Sequence, residues 1–153
     1  MDSIPEVINV RIVNSDTIEP IPNIAIKVRL YAKRKNDYYC VPSISNGEGI
    51  VEIRKSWLHD DVEKTRSLFP MDYSSTLDDC EPKMEFKVMS ISEVDQVVKT
   101  MIKWNNILNI PEAEIKNLLK ANNVQYEPAS QIVNFNGQSV IDIELMIKSV
   151  KKK

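Results

Sequence analysis

The chain has 153 residues, of which 42% are hydrophobic and 27% charged, a composition typical of one globular domain rather than of a disordered chain. The net charge of −2 gives no excess positive field to attract nucleic-acid phosphates or an anionic membrane surface. No apolar run reaches the length of a membrane span, and MDSIPEVINV lacks the basic and apolar regions of a signal peptide. We therefore expect a cytoplasmic protein without a membrane partner.

Alternating apolar residues predict two strands in the first part of the chain. From Val7 to Val13 every even position is apolar, and from Ile24 to Leu30 apolar residues again recur at every second position. This period suits a sheet with one buried face and one solvated face. The connection between the two strands contains Pro20 and Pro22, which cannot donate ladder hydrogen bonds and so exclude a central strand there.

Two of the three glycines lie close together in the segment Ser45-Asn46-Gly47-Glu48-Gly49. Asn46-Gly47 is well suited to positive φ at both central positions of a tight turn, and Gly49 permits a bulge or a left-handed residue before the next strand. The sequence therefore predicts a tight hairpin reversal between strands at 38–41 and 50–53. The glycine spacing matches neither a Walker loop nor a dinucleotide-binding fingerprint.

The segments EPIPNIAIKVRLY and SNGEGIVEI resemble the carboxypeptidase regulatory-like, or prealbumin-like (transthyretin-like), β-sandwich. The residues that carry the resemblance form a strand entry and a turn; they are Pro20, Pro22, Asn23, Ala25, Asn46, Gly47 and Gly49. The resemblance covers about residues 7–53, and Ile21 departs from it because the family often has a small or polar residue there. It implies a β-sandwich used as an accessory or binding module. No catalytic residue is implied, because the matching positions are structural.

The middle of the chain changes to helical periodicity. A helix is predicted over residues 56–67, with Ser56 as N-cap and Pro70 as stop, and an irregular loop and a strand over 83–89 follow it. Ser90-Ile91-Ser92-Glu93 is a capping box that begins a second helix, whose apolar stripe runs from Val94 to Leu108.

A third helix begins at Pro111, a favoured first-turn residue, and ends at Asn122-Asn123. Its predicted buried face consists of Ile115, Leu118 and Leu119. The chain then returns to alternating apolar residues over 131–135 and 140–147, and Asn136-Gly137 between them predicts a C-terminal β-hairpin.

These elements predict an α+β fold: an antiparallel β-sandwich-like N-terminal part, two to three packed helices and a C-terminal β-hairpin. We expect a single compact domain over residues 1–153, with a subdivision into a β-sandwich part, 1–89, and a helical part with the hairpin, 90–153, as the alternative. The basic cluster of Lys148 and Lys151–Lys153 is expected to be a solvated tail.

Aromatic and basic residues are concentrated between residues 31 and 39, where we expect the exposed tip of a hairpin. The candidate partner-binding residues are Tyr31, Lys33, Arg34, Lys35, Tyr38 and Tyr39. Tyrosine and arginine are favoured anchors at protein interfaces. The 33–35 basic cluster could instead bind single-stranded nucleic acid, but the acidic neighbours Asp37 and Glu48 and the acidic net charge make that partner less favoured.

The single histidine, His59, is followed by Asp60 and Asp61 and lies four residues before Glu63. On a helix His59 and Glu63 could share a metal ion, but two ligands do not make a site, so a solvated helix face is the favoured interpretation. Carboxylates from the Asp78-Asp79-Cys80 loop would have to complete it. We therefore assign no catalytic residue, metal site or cofactor.

The two cysteines are expected to be free thiols, although a bridge between Cys40 and Cys80 stays open. Cys40 lies in a β-prone run and is expected to be buried, whereas Cys80, in a polar loop, is the better candidate for a reactive thiol.

The function these observations favour is a non-enzymatic protein–protein interaction or accessory module that docks through sheet edges or the 31–39 tip. The first alternative is a small metal-dependent or hydrolytic enzyme centred on His59 and nearby carboxylates, namely Asp60, Glu63 or the 78–80 loop. The second is nucleic-acid binding through residues 33–35.

Overall fold

The computed structural model describes residues 4–150, so Lys151–Lys153 of the predicted tail lie outside the described residues. This part of the chain forms seven strands, three α-helices and two short 3₁₀ helices, which confirms the predicted α+β class. In chain order the elements are β1 Val7–Asn14, β2 Ile26–Ala32, β3 Tyr38–Cys40, β4 Ile50–Arg54, α1 Lys55–Leu68, a 3₁₀ helix Leu77–Asp79, β5 Cys80–Val88, α2 Ile91–Leu108, α3 Glu112–Leu119, a 3₁₀ helix Asn123–Gln125, β6 Ala129–Asn134 and β7 Val140–Ile147.

The strands form two sheets, one in the order β4-β1-β7 and the other in the order β3-β2-β5-β6. All strand pairs are antiparallel except β1 and β7, which run parallel, with Val10 opposite Ile143. The N-terminal part is antiparallel as predicted, since β1 with β4, β2 with β3 and β2 with β5 all pair antiparallel, and the parallel pair is formed with the C-terminal strand β7. β6 and β7 each join a sheet whose other strands come from residues 7–88.

The C-terminal strands exist, but the predicted hairpin between them is wrong. β6 pairs with β5, and β7 pairs with β1 in the other sheet. The connection crosses between the sheets: Phe135 is buried in the core, and the carbonyl of Ser139 accepts a hydrogen bond from the backbone N–H of Val7. Gly137 has the positive φ of 83° expected in the turn. The turn signal was therefore correct, and the pairing that it suggested was not.

The Asn46-Gly47 reversal is also a crossing between sheets and not a hairpin, because β3 and β4 belong to different sheets. A tight turn does form, since Gly49 N–H donates to Asn46 O at 2.9 Å and the Asn46 side chain accepts from the N–H groups of Glu48 and Ile50. The residue with positive φ is Gly49, at 76°, and not Gly47. A Cβ on Gly49 would lie 2.8 Å from the Ile12 carbonyl oxygen.

The main core lies between the two sheets and under α1. Inward-facing residues of both sheets join Leu58 and Val62 of α1 in one cluster. The large side chains fully buried there include Ile8, Ile12, Ile26, Leu30, Ile53, Leu58, Met84 and Phe86. Each such side chain contributes about 1.5–3 kcal/mol through burial. The alternation predicted for β1 and β7 is confirmed, because Ile8, Val10 and Ile12 and then Ile143, Leu145 and Ile147 are buried.

Helix α1 follows β4 without a loop. Its N-cap is Arg54, in an extended conformation and without a side-chain cap, so Ser56 lies inside the helix and not at its N-cap as predicted. The helix ends at Leu68, shortly before Pro70, as the sequence indicated.

Helices α2 and α3 pack around a second, smaller core. This cluster contains Val94 and Val98 of α2, Ile115 and Leu118 of α3, and Met89 just before α2. The capping box is confirmed: Glu93 N–H donates to Ser90 Oγ, and Ser90 N–H donates to the Glu93 carboxylate, both at 3.2 Å. Leu119 was expected in the buried face of α3 but is 63% exposed, because it lies about 100° around the helix from Leu118.

Within residues 4–150, none of the helices is both long enough and apolar enough to span a bilayer.

Candidate functional site

The segment 31–39 contains the connection of a β-hairpin, as predicted: β2 and β3 pair antiparallel with Arg29 opposite Tyr39, and residues 33–37 join them. Asp37 organises this connection. Its Oδ1 accepts the N–H of Ala32 at 2.8 Å, and its Oδ2 accepts Nε and Nη2 of Arg29 at 2.9 and 2.7 Å. These charge-assisted bonds fix the shape of the tip.

The tip is also held against the 70–79 segment. Arg34 N–H donates to Ser75 Oγ at 3.0 Å, and Asn36 N–H donates to the Asp72 carbonyl at 3.3 Å. Lys35, with a positive φ of 59°, donates from Nζ to the Pro70 carbonyl. The loop predicted to be irregular therefore serves as a support for the hairpin.

Arg34 is exposed, but its charge is already compensated. Its Nη2 lies 2.6 Å from Asp79 Oδ2. Hydrogen bonds from the backbone and side chain of Thr76, together with the nearby Arg34, lower the pKa of Asp79. The 33–35 cluster thus offers a phosphate a weaker net positive charge than the sequence suggested.

Tyr38 is a correction to the predicted partner-binding set, because it is only 2% exposed. Its hydroxyl donates to the Ser75 carbonyl at 2.5 Å, and its ring stacks on Tyr73 with centroids 5.1 Å apart. Burial raises the pKa of Tyr38 to about 12. Tyr38 therefore supports the hairpin from inside, and the surface available to a partner lacks it.

The other predicted residues lie on or near the surface. Lys33, Arg34 and Lys35 are exposed, and Tyr39 is 54% exposed on the outer face of the sheet. Tyr31 is half-buried, with its ring 4.6 Å from the Arg29 guanidinium and 4.5 Å from Lys83 Nζ. The cations that lie against the rings of Tyr31 and Tyr39 are Arg29, Lys27 and Lys83, which do not belong to the predicted set.

His59 lies on the exposed surface of α1. Its Nδ1 is 3.5 Å from Asp60 Oδ1, and its Nε2 is 4.0 Å from Glu63 Oε1. In the described part of the chain, no three or more histidine, cysteine or acidic side chains are grouped so that they could hold a metal ion. The 78–80 loop does not complete a set of ligands with His59.

Both cysteines are buried, free thiols. Cys80 was expected in a polar loop, but it begins β5, and its thiol donates to the Thr76 carbonyl at 3.5 Å. Burial raises the pKa of Cys80 to about 11, and burial also raises the pKa of Cys40. Because the thiolate is the reactive form, the burial of Cys80 and its raised pKa do not support it as the candidate for a reactive thiol.

Strand β6 forms an exposed edge of the four-stranded sheet. The sequence predicts docking at sheet edges but does not identify this strand. β6 is the outermost strand of its sheet and pairs with β5 in an unbroken register. Phe135 N–H donates to the Pro82 carbonyl at 2.8 Å, which fixes the alternation of the antiparallel ladder. By that alternation the backbone groups of Ser130, Ile132 and Asn134 point away from β5, toward the open edge.

This edge lacks the features that usually protect a sheet from pairing with another chain. Residues 128–141 contain no charged side chain and form the longest uncharged run in the sequence. Edge strands are usually protected by lysines, prolines, bulges or short length. β6 is six residues long, has no proline within it, and carries Ile132, 54% exposed. The uncharged run was a signal in the sequence that could have identified this edge.

Comparison of the chain with protein-family models, with curated proteins and with solved structures gave no match.

Proposed function

We propose that this chain is a cytoplasmic, non-catalytic docking module that binds an extended segment of another protein along the open edge of β6. In this mode the partner adds a strand to the sheet, and main-chain hydrogen bonds supply much of the affinity. The observation that carries the proposal is that the backbone groups of Ser130, Ile132 and Asn134 point toward the open edge, in a strand without charged side chains. The free thiols agree with a reducing compartment.

The other sheet edges are less suited to strand addition. β3 has only three residues, at 38–40. β4 carries Glu52 and Arg54, and β7 carries Asp142 and Glu144, all exposed. Charged side chains on an edge oppose pairing with most incoming strands. β6 is therefore the edge that we assign to the partner.

The neighbourhood of Ile132 indicates what the partner strand should carry. Ile132 lies opposite Glu85 in the register, on the outer face of the sheet. An incoming strand that places an apolar or β-branched residue beside Ile132 would cover its exposed surface. Because β6 has no charged side chain, the partner strand needs no charged residue to complement it.

The test compares two matched variants as baits for proteins of a native lysate. Ile132→Lys places a charge on the β6 edge, and Met146→Lys places the same charge at an exposed apolar residue of β7, in the other sheet. We expect wild type and Met146→Lys to capture the same protein and Ile132→Lys to lose it. Equal capture by all three proteins, with circular dichroism showing that each is folded, would exclude β6 as the docking edge.

Hydrogen exchange gives an independent measurement on the isolated complex. The amides of Gln131 and Val133 already bond to β5 and should exchange slowly before and after binding. The amides of Ser130, Ile132 and Asn134 should exchange quickly in the free protein and slowly in the complex. Sedimentation of the free protein distinguishes a foreign partner from a second copy pairing β6 with β6, because only the second would give a dimer in the pure sample.

The hairpin tip remains a second candidate surface, because Tyr39 and Lys33 are exposed there. It is less favoured than β6 since Arg34, Lys35 and Asn36 already bond to the 70–79 segment. The prealbumin-like resemblance of residues 7–53 likewise stays a prediction, consistent with an accessory module.

A further inference from the structure

An open cleft separates α1 from α2 and α3. It has a volume of about 380 Å³, and its lining includes Tyr39 of β3 and Val41, which follows β3. Trp57 and Leu68 of α1 form one wall, and Met101 and Leu108 of α2 form the other. A narrower extension of about 70 Å³, also lined by Val41, Trp57 and Met101, continues toward α3.

The cleft exists because its two walls belong to different cores. Leu58 and Val62 anchor α1 to the main core, against which Trp57 packs. Val94 and Val98 anchor α2 to the second core, against which Met101 packs. Each helix is therefore held by its own buried face, and the partly exposed apolar side chains between them are left without a covering element of residues 4–150.

The charges that line this cleft have an excess of one sign. Asp60 and Asp61 of α1 and Glu114 of α3 are carboxylates, and Lys64 is the one cation among the lining residues. Clefts lined by one sign of charge with apolar walls concentrate ligands of the opposite sign. The lining thus favours an occupant with large apolar side chains and positive charge.

We propose that this cleft binds a second partner segment, an amphipathic helix whose apolar face is flanked by lysine or arginine. Laying an apolar helix face into a hydrophobic groove is a recurring mode of peptide recognition. Here the apolar face would cover Trp57, Met101 and Leu108, and the basic residues would face Asp60, Asp61 and Glu114.

This site is separate from the β6 edge. β3 and β6 are the two opposite edges of the four-stranded sheet, with β2 and β5 between them. At about 4.8 Å per strand, the two edges are about 14 Å apart. One occupant does not block the other, so the cleft can be tested in a protein whose β6 edge carries Ile132→Lys.

The test uses Trp57 as the reporter. The chain has two tryptophans, and Trp104 does not line the cleft, so Trp104→Phe leaves a single fluorophore in the wall. The probes are two synthetic amphipathic helical peptides, one of leucine and lysine and one of leucine and glutamate with the same pattern. We expect the leucine–lysine peptide to shift Trp57 emission to shorter wavelength with saturation, and the leucine–glutamate peptide to bind about tenfold more weakly.

Charge reversal provides the decisive comparison. Asp60→Lys with Glu114→Lys should invert the preference, so that the leucine–glutamate peptide binds better. Glu112→Lys makes the same change on α3 at a residue outside the lining and should preserve the original preference. Equal affinity for both peptides, an unresponsive Trp57, or a preference that the double reversal leaves unchanged would each overturn the proposal.

Discussion

Asn123 and Ala25 lie 98 residues apart and form two hydrogen bonds with each other. The Asn123 Oδ1 accepts the N–H of Ala25 at 2.9 Å, and Nδ2 donates to the Ala25 carbonyl at 2.9 Å. Nδ2 also donates to the Met89 carbonyl at 2.7 Å. One buried amide thus ties the segment after α3 to the residue before β2 and to the residue that follows β5.

Replacing Asn123 with alanine should lower the free energy of unfolding by about 2–3 kcal/mol, because buried backbone groups of Ala25 and Met89 would lose their partner. Denaturant unfolding measures the change. Asn122→Ala is the matched control, since the structure uses the backbone of Asn122 in a bond to Asn23. If both variants were equally stable, the amide network would not contribute as we infer.

Gly49→Ala should destabilise the protein by more than about 2 kcal/mol. The new Cβ would lie 2.8 Å from both Ile12 O and Pro20 Cβ, at a φ of 76° that side chains rarely adopt. Gly47→Ala is the control: a Cβ there meets no atom within 4 Å, and its effect should stay within about 0.5 kcal/mol. Thermal unfolding of the two variants compares them, and equal loss in both would contradict the close approach at Gly49.

Glu93 should make stability depend on acid pH. Burial raises the pKa of Glu93, but hydrogen bonds from the Ser90 backbone and from Lys27 and Lys87 outweigh burial and lower the pKa to about 2. A carboxyl whose folded pKa lies below its unfolded value of about 4.3 stabilises the protein above that value and loses this contribution between about pH 4 and pH 2. The expected contribution at neutral pH is on the order of 2–3 kcal/mol.

Urea unfolding at a series of pH values tests this dependence. Glu93→Gln should be less stable than wild type at pH 7, and the difference should shrink as the pH falls toward 2. Glu112→Gln, an exposed carboxyl in the first turn of α3, serves as control with little pH-dependent difference from wild type. A constant difference for Glu93→Gln across this range would show that its charge is not the stabilising feature.

Tyr38→Phe should lower the free energy of unfolding by about 1 kcal/mol, because the Ser75 carbonyl would lose its buried donor. In wild type the pKa of Tyr38 is raised to about 12. The contribution of the neutral Tyr38 to the free energy of unfolding should therefore be complete below about pH 10 and should decrease as the pH rises toward 12. Ultraviolet absorbance should show one late-titrating tyrosine that is missing in the variant. A wild-type titration with all tyrosines ionising together near pH 10 would disagree with the burial of Tyr38.

The features predicted from sequence were those that depend on neighbours along the chain. The Ser90–Glu93 capping box, the period of β1 and β7, and the left-handed Gly49 are local properties and are present. Strand pairing depends on distant partners: β7 pairs with β1, joining Asn9 to Asp142 across 133 residues. No turn signal encodes that choice, so both predicted hairpins at Asn-Gly dipeptides were wrong.

Two surface features that the sequence analysis did not identify, the burial of Tyr38 and the open edge of β6, had signals in the sequence. Tyr38 and Cys40 are two residues apart in one strand and therefore lie on the same face, so the expected burial of Cys40 implies burial of Tyr38 as well. The uncharged run at 128–141 marked the edge of β6. The cleft between α1 and α2 had no comparable signal, because it arises from where two separate cores place their helices.

The parallel pairing of β1 with β7 has a consequence for synthesis. β1 is the middle strand of its sheet, and β7 is the last element of the described chain, so the sheet stays a two-stranded ribbon until residue 147 has left the ribosome. Until that point in translation one side of β1 is an unpaired strand edge. Nascent chains of this protein should therefore depend on chaperone protection until the closing strand arrives.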